Sequence, residues 1–144
     1  VVGSHGLRVL CDTTIDLISP ELAELLILPG GMPGSDNLAA SEELAEILTK
    51  HNAENKWIAA ICAAPYVLGE LNILNGKQAT CYPGYEDRLL GAEFVNKSVV
   101  VSQNVITGNG AGAAIRFAFK IVEVLKSKRV ADFLAEKMMN ERYE

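Results

Sequence analysis

The sequence has no pair of cysteines at C-x-x-C spacing, and only two histidines, His5 and His51, accompany its three cysteines. A structural zinc site needs four such ligands at close spacing, so this composition disfavours one. Cys11, Cys62 and Cys81 are odd in number and far apart, which does not fit a disulfide framework. Reduced thiols in a cytoplasmic protein are the expectation. No run approaches the roughly 18 apolar residues of a membrane-spanning helix. The basic start followed by an apolar stretch that marks a signal peptide is also missing. Positive charge is in deficit, 13 Lys and Arg against 18 Asp and Glu, for a net charge of -5. That argues against a nucleic-acid-binding surface, which needs a basic stripe. An initiating methionine is absent as well. The sequence starts at Val1 in an apolar run, and the expectation is that an N-terminal piece is missing.

What is present is enough for a core. Hydrophobic residues make up 49% of 144, a length that suits one domain. VVGSHGLRVL reads as two short strands around the turn residues Gly3 to Gly6. After Ser19-Pro20, ELAE has the composition of a short helix. LLILP, residues 25 to 29, and WIAAI, residues 57 to 61, are continuously apolar. Such runs predict strands buried on both faces, as in a parallel sheet. EELAEILTK, residues 42 to 50, predicts a helix capped by Ser41, with Leu44, Ala45, Ile47 and Leu48 on one face.

Ala63 to Leu71 predicts a further helix, with Pro65 in its first turn, where no backbone N–H is needed. QATCY predicts a short strand, and SVVVSQNVITG predicts two, at about 98 to 102 and 104 to 107. Two helices end the chain. From Gly110 to Lys126, Ile115, Ala118, Phe119, Val122 and Leu125 follow helical spacing. From 128 to 140, Val130, Phe133, Leu134 and Met138 do the same. Buried strands alternating with helices imply an α/β, doubly wound, mostly parallel sheet sandwiched by helices. Functional sites in such folds lie beyond the carboxyl ends of the strands. Two strands end suggestively there, LLILP at Gly30-Gly31 and WIAAI at Cys62. If these strands are parallel neighbours, their ends meet.

A cysteine between a buried strand and a helix occupies a nucleophile-elbow position. Unpaired N–H groups of the adjoining helix start favour a thiolate. The small neighbours Ala59, Ala60, Ala63 and Ala64 allow close approach. The Ala63 amide and one amide of Gly30-Gly31 are candidates for an oxyanion hole. The competing reading is an ordinary buried, inert cysteine.

The strings LLILPGGMPGSDNL, IAAICAAP, TCYPGYED and ITGNGAGAAIRFAFKIVEVL, in this order, resemble the ThiJ/PfpI superfamily and its DJ-one branch. The likeness covers nearly all residues, with AICAAP as its most specific part. The resemblance implies a flavodoxin-like fold, a homodimer, and Cys62 as the reactive cysteine. It puts Gly31 and Ala63 at the oxyanion-hole positions. It implies glyoxalase-like or deglycase-like chemistry on a small aldehyde such as methylglyoxal or on a glycated substrate, without metal or organic cofactor. Redox sensing and a chaperone role are the alternative. Peptidase chemistry is disfavoured, because the protease branch has a histidine directly after the cysteine and this chain has Ala63.

Two departures from the pattern stand out. Many relatives have a histidine before the proline of the loop facing the cysteine, where this chain has Tyr82 and then Pro83. With an unperturbed pKa near 10, tyrosine is a poor base at neutral pH. Tyr82 either donates a hydrogen bond to the site or packs beside it. Second, the glutamate that contacts the thiol in the family comes from a strand–helix elbow upstream of Val1. In flavodoxin-like order the first strand is central, so its absence is expected to leave a gap in the sheet, and about 40 to 50 further residues are expected.

Gly108 to Gly112, GNGAG, has the look of a phosphate loop but lacks the lysine or acidic partner of either nucleotide motif. Close packing of the following helix near the cysteine is the better reading, with Asn109 and Gly30 in the substrate pocket. His5 reads as a solvated turn residue. His51 reads as a cation at a helix end. Cys11 and Cys81 read as ordinary buried thiols.

Overall fold

A computed structural model describes residues 1 to 3 and 5 to 140. The main sheet has four strands: β1 (Leu25–Leu28), β2 (Trp57–Ile61), β5 (Val99–Ser102) and β6 (Val105–Gly108). Their order is β1-β2-β6-β5. β1 and β6 both run parallel to β2, and β5 closes the far side as an antiparallel partner of β6. The expectation that LLILP and WIAAI are parallel neighbours holds, with Leu28 paired to Ala60. β3 (Gln78–Ala79) and β4 (Glu93–Phe94) form a separate parallel pair. The expected gap in the sheet is not found. The four strands are consecutive neighbours, with β1 and β5 at the outer edges, and Ile27 on β1 is 52% exposed.

Side chains alternate across each strand and so define two cores. Leu28, Ile58, Ala60 and Val105 face one side, packed with Leu48, Tyr66, Leu68 and Leu74. Helices α1 (Gly34–Ala39), α2 (Glu42–Ala53) and α3 (Pro65–Glu70) lie on this side. Ala59 and Ile106 face the other side, against Phe117, Ile121 and Val124 of α4 (Ala114–Leu125). The chain is therefore a mixed α/β sandwich around a parallel-dominated sheet. No helix among the described residues is long and apolar enough to cross a membrane.

α5 (Lys128–Lys137) packs on α4 through Ala131 and Ala135, which meet Phe119. The expected inward face of these two helices holds in part, since Phe119 is buried with Val122 and Leu134 packed against it, and needs correction elsewhere. Ile115, Ala118, Val130, Phe133 and Met138 are exposed, while Phe117, Ala131 and Ala135 are buried. Two alanines one helical turn apart let α5 approach α4 closely, so Ala131 and Ala135 face inward with Leu134 while Val130 and Phe133 stay exposed. Other elements are shorter than expected. ELAE yields only a 3-10 turn over Pro20–Leu22, and the first hairpin is reduced to one antiparallel bridge between Val2 and Arg8. α1 and β4 were not expected at all. α1 follows Pro33 in a Gly-Ser-Asp-Asn segment of turn composition.

His51 corrects another expectation. α2 runs past it to Ala53, and the ring is buried, with Nε2 donating to the Trp57 carbonyl at 3.1 Å. Burial first, then the charge of Lys56, holds its pKa below the ordinary value of 6.5. A buried imidazole favoured in its neutral form is not the cation that a helix end would want. The sign of the pH dependence follows. Well above pH 6.5 neither folded nor unfolded His51 is protonated. As pH falls below that value, the unfolded state takes up the proton first, so stability is lost. The melting temperature of His51→Gln is therefore expected to drop less than wild type between about pH 7.5 and 5.5. Parallel pH profiles from calorimetry would contradict this.

Candidate active site

β2 ends at Ile61, and Cys62 follows with φ of 66°, in the left-handed region. A non-glycine residue held there costs of order 1–3 kcal/mol and persists only where its surroundings fix it. Those surroundings are visible. The Cys62 N–H donates to the Gly108 carbonyl at 2.9 Å, and the Cys62 carbonyl accepts from the Tyr82 N–H at 2.8 Å. The peptide is thus clamped between the end of β6 and the 80s loop. That loop is itself tied to β6, because the Thr80 N–H donates to the buried Thr107 Oγ1 at 2.9 Å. The helix starts later than the sequence suggests, at Pro65, and residues 62 to 64 form the turn of the elbow.

Gly30 lies directly against the cysteine. A Cβ placed on it would sit 2.4 Å from Cys62 Cβ, 2.6 Å from the Ile61 carbonyl oxygen and 3.3 Å from Cys62 Sγ. Only a residue without a side chain fits. Gly31 has φ of 94°, again a conformation suited to glycine. Its carbonyl accepts twice from Ser35, from the backbone N–H at 2.8 Å and from Oγ at 3.0 Å. Ser35 is fully buried and anchors the loop that carries Gly31. Neither the Gly31 N–H nor the Ala63 N–H donates to a backbone carbonyl among the described residues. Gly31 directly follows the Gly30 that touches Cys62, and Ala63 directly follows Cys62 itself.

Tyr82 and Pro83 are exposed at the rim. A Cβ on Gly110 would meet the Tyr82 ring at 3.4 Å, so this ring lies against the turn that opens the segment before α4. Asn109 is half-buried, next to the Gly108 that holds Cys62, and its N–H donates to the Ser98 carbonyl at 3.0 Å. Gly30, Gly31, Cys62, Ala63, Tyr82 and Asn109 thus gather around one strand end. His51 does not. It touches Trp57, at the opposite end of β2.

The other two cysteines differ from Cys62. Cys11 is exposed, contrary to the expectation of a buried thiol. Cys81 is buried as expected, and burial first, with help from Glu86, pushes its thiol up to about 11. At neutral pH it is protonated and a poor nucleophile. Among the described residues no group of three or more His, Cys, Asp or Glu is placed to hold a metal ion.

The sequence reading missed Ser35 and a polar cluster on α3. Tyr66 is fully buried, and its hydroxyl donates to Asp36 Oδ1 at 2.6 Å. The signal was available. A tyrosine inside AAPYVLGEL must bury a hydroxyl in an apolar run, and a buried hydroxyl needs a partner.

Comparison with known proteins agrees with this geometry. The fold is similar to that of oxidized DJ-1 of Toxoplasma gondii, with a TM-score of 0.93 at 35% identity over 99% of this chain and 78% of that one. Deglycase PH1704 of Pyrococcus horikoshii is 32% identical over 88% of this chain and 76% of its own. The glutathione-independent glyoxalase DJR-1.2 of Caenorhabditis elegans is 34% identical over 85% of this chain and 66% of its own. The chain spans only 33% and 30% of two longer DJ-1 homologues of Arabidopsis thaliana. Residues 1–124 match the model of the DJ-1/PfpI family, and the chain belongs to that family.

Proposed function

We propose that this chain carries the nucleophile of a cofactor-independent enzyme acting on reactive aldehydes, of the glyoxalase or deglycase type. The observation that supports it most is the strained Cys62 elbow, wedged against Gly30 between two amides free of backbone partners. Relatives named as a deglycase and as a glyoxalase support the same chemistry. On this reading the Cys62 thiolate attacks the aldehyde carbon of methylglyoxal, and a carbon–sulfur bond forms as the carbonyl electrons move to oxygen. The Gly31 and Ala63 amides stabilise that oxyanion. The proton on the former aldehyde carbon then moves to the neighbouring carbon, leaving a lactoyl thioester. Water hydrolyses the thioester to lactate and restores the thiol, so methylglyoxal and water are consumed and lactate is made. Gly30, Tyr82, Pro83 and Asn109 line the substrate pocket in this proposal.

The proton transfer needs a carrier, and among the described residues no carboxylate hydrogen-bonds to the thiol. We place the carrier, a glutamate, on a segment outside residues 1–144 of what is otherwise one ThiJ/PfpI-like domain. The unpaired outer edge of β1 supports such a segment. We further propose a cytoplasmic homodimer. Exposed Leu7, Val9 and Leu10 on the N-terminal arm support association. The test of function is glutathione-free lactate formation from methylglyoxal. Equal rates with wild type and Cys62→Ser would end the proposal.

A second reading uses the same thiol as a redox sensor. A hydroperoxide would transfer oxygen to Cys62 twice, giving a sulfinate and two molecules of alcohol or water. The two free amides support it, since they would hold the sulfinate oxygens as they hold the oxyanion. Mass spectrometry after mild peroxide is expected to find oxidation concentrated on Cys62. Oxidation spread evenly over Cys11, Cys62 and Cys81 would argue against this reading.

A further inference from the structure

Three separate segments meet at Cys62: the Gly30–Gly31 loop that leads into α1, the elbow that leads into α3, and the 80s loop. One side chain on α3 links to the other two, to the 80s loop by direct contact and to the Gly31 loop through α1. Tyr66 stands on the first turn of α3, and its hydroxyl donates to Asp36 on α1 at 2.6 Å. Asp36 directly follows Ser35, whose backbone and side chain hold the Gly31 carbonyl. The Tyr66 ring stacks on Tyr85 with centroids 5.8 Å apart and planes 10° from parallel. The Arg88 guanidinium lies 3.4 Å from the Tyr66 ring centroid and is paired to Glu70, also on α3. Tyr85 is bound in turn to the loop whose Tyr82 N–H holds the Cys62 carbonyl.

Packing alone does not require this residue. The rest of the buried α3 face, Val67, Leu68 and Gly69, is apolar, and a phenylalanine would fill the same space. A buried hydroxyl carries a desolvation cost, which the bond to Asp36 offsets. Burial and that bond push the Tyr66 hydroxyl up to about 12, so it remains a donor across the working pH range.

We propose that Tyr66 is a positioning residue for the Cys62 site, fixing the Gly31 loop and the 80s loop relative to the thiol. The inference rests on Cys62 being the nucleophile. Tyr66→Phe keeps the ring stack and removes the hydroxyl, with its tie to Asp36 and its contact with the Arg88 side chain. It is expected to lower kcat for methylglyoxal about tenfold with KM unchanged, because the oxyanion donors lose their register. It is also expected to raise the rate of Cys62 alkylation by iodoacetamide about threefold, as the Gly30 loop loosens over the thiol. Asp36→Ala should reproduce both effects, the double variant should be no worse than either, and Asp36→Asn, which keeps an acceptor, should stay near wild type. Wild-type kcat and alkylation in Tyr66→Phe would overturn the proposal, as would equal losses in Asp36→Ala and Asp36→Asn. If wild type makes no lactate, the aldehyde reading fails and alkylation alone decides. A faster rate in Tyr66→Phe then sustains the positioning role, and an unchanged rate overturns it.

Discussion

Cys62→Ser is expected to lower lactate formation from methylglyoxal by a factor of about 1000 or more, with the fold intact. Serine is close in size, and the elbow offers it the same backbone clamps from Gly108 and Tyr82. Its hydroxyl, however, is not ionised near neutral pH, and no side-chain base hydrogen-bonds to the residue 62 side chain among the described residues. The loss should therefore fall on kcat, with the melting temperature shifted by no more than a few degrees. Cys81 cannot take over, because its buried thiol stays protonated. Cys11 is exposed on the N-terminal arm, outside the elbow. Cys11→Ser and Cys81→Ser are accordingly expected to keep most of the activity. Lactate assays on the three variants check this, and a Cys62→Ser enzyme at wild-type rate would contradict it.

Gly30→Ala is expected to damage both the fold and the site. The added methyl would meet Cys62 Cβ at 2.4 Å and the Ile61 carbonyl at 2.6 Å. Neither atom is the far end of a flexible side chain, so β1 must move away from the elbow or the elbow must open. Overpacking of this kind costs about 1–3 kcal/mol. For a domain of this size that is a fall in melting temperature of roughly 3–10 °C. On the proposed mechanism, moving the Gly31 amide by even a fraction of an ångström relative to the thiol weakens an oxyanion donor, and activity should fall about 100-fold or more. Gly34→Ala is the natural control, because a Cβ there meets nothing within 4 Å. Calorimetry and the lactate assay together check the pair. Equal behaviour of Gly30→Ala and Gly34→Ala would contradict the contact.

The fold was legible in the sequence where local and global preferences agree. LLILP and WIAAI both form strands as their continuous apolar runs suggest, but only WIAAI is buried on both faces, while LLILP lies at the sheet edge with Ile27 exposed; their neighbouring ends follow from the parallel pairing. The elbow was legible for the same reason, as a cysteine closing one such strand before Pro65. Helix faces were less so. In α5 the sequence offers two apolar stripes, one large and one small, and hydrophobicity favours Val130 and Phe133. Close approach to α4 favours Ala131 and Ala135 instead, a tertiary choice that spacing does not reveal. His51 was misread because its position on α2 is visible in sequence while the Trp57 carbonyl over its ring is not. The link between Asp36 and Tyr66 spans 30 residues and joins two helices, so only their packing discloses it.

The central claim is that one thiol of three carries the chemistry. Its most direct test needs no substitution. The full chain is treated with limiting iodoacetamide, residual lactate formation is measured at intervals, and the alkylated fraction of each cysteine is read by peptide mass mapping. Activity is predicted to fall in proportion to alkylation of Cys62, with methylglyoxal slowing both, whatever the state of Cys11 and Cys81. Full activity in protein whose Cys62 is completely alkylated would contradict the account.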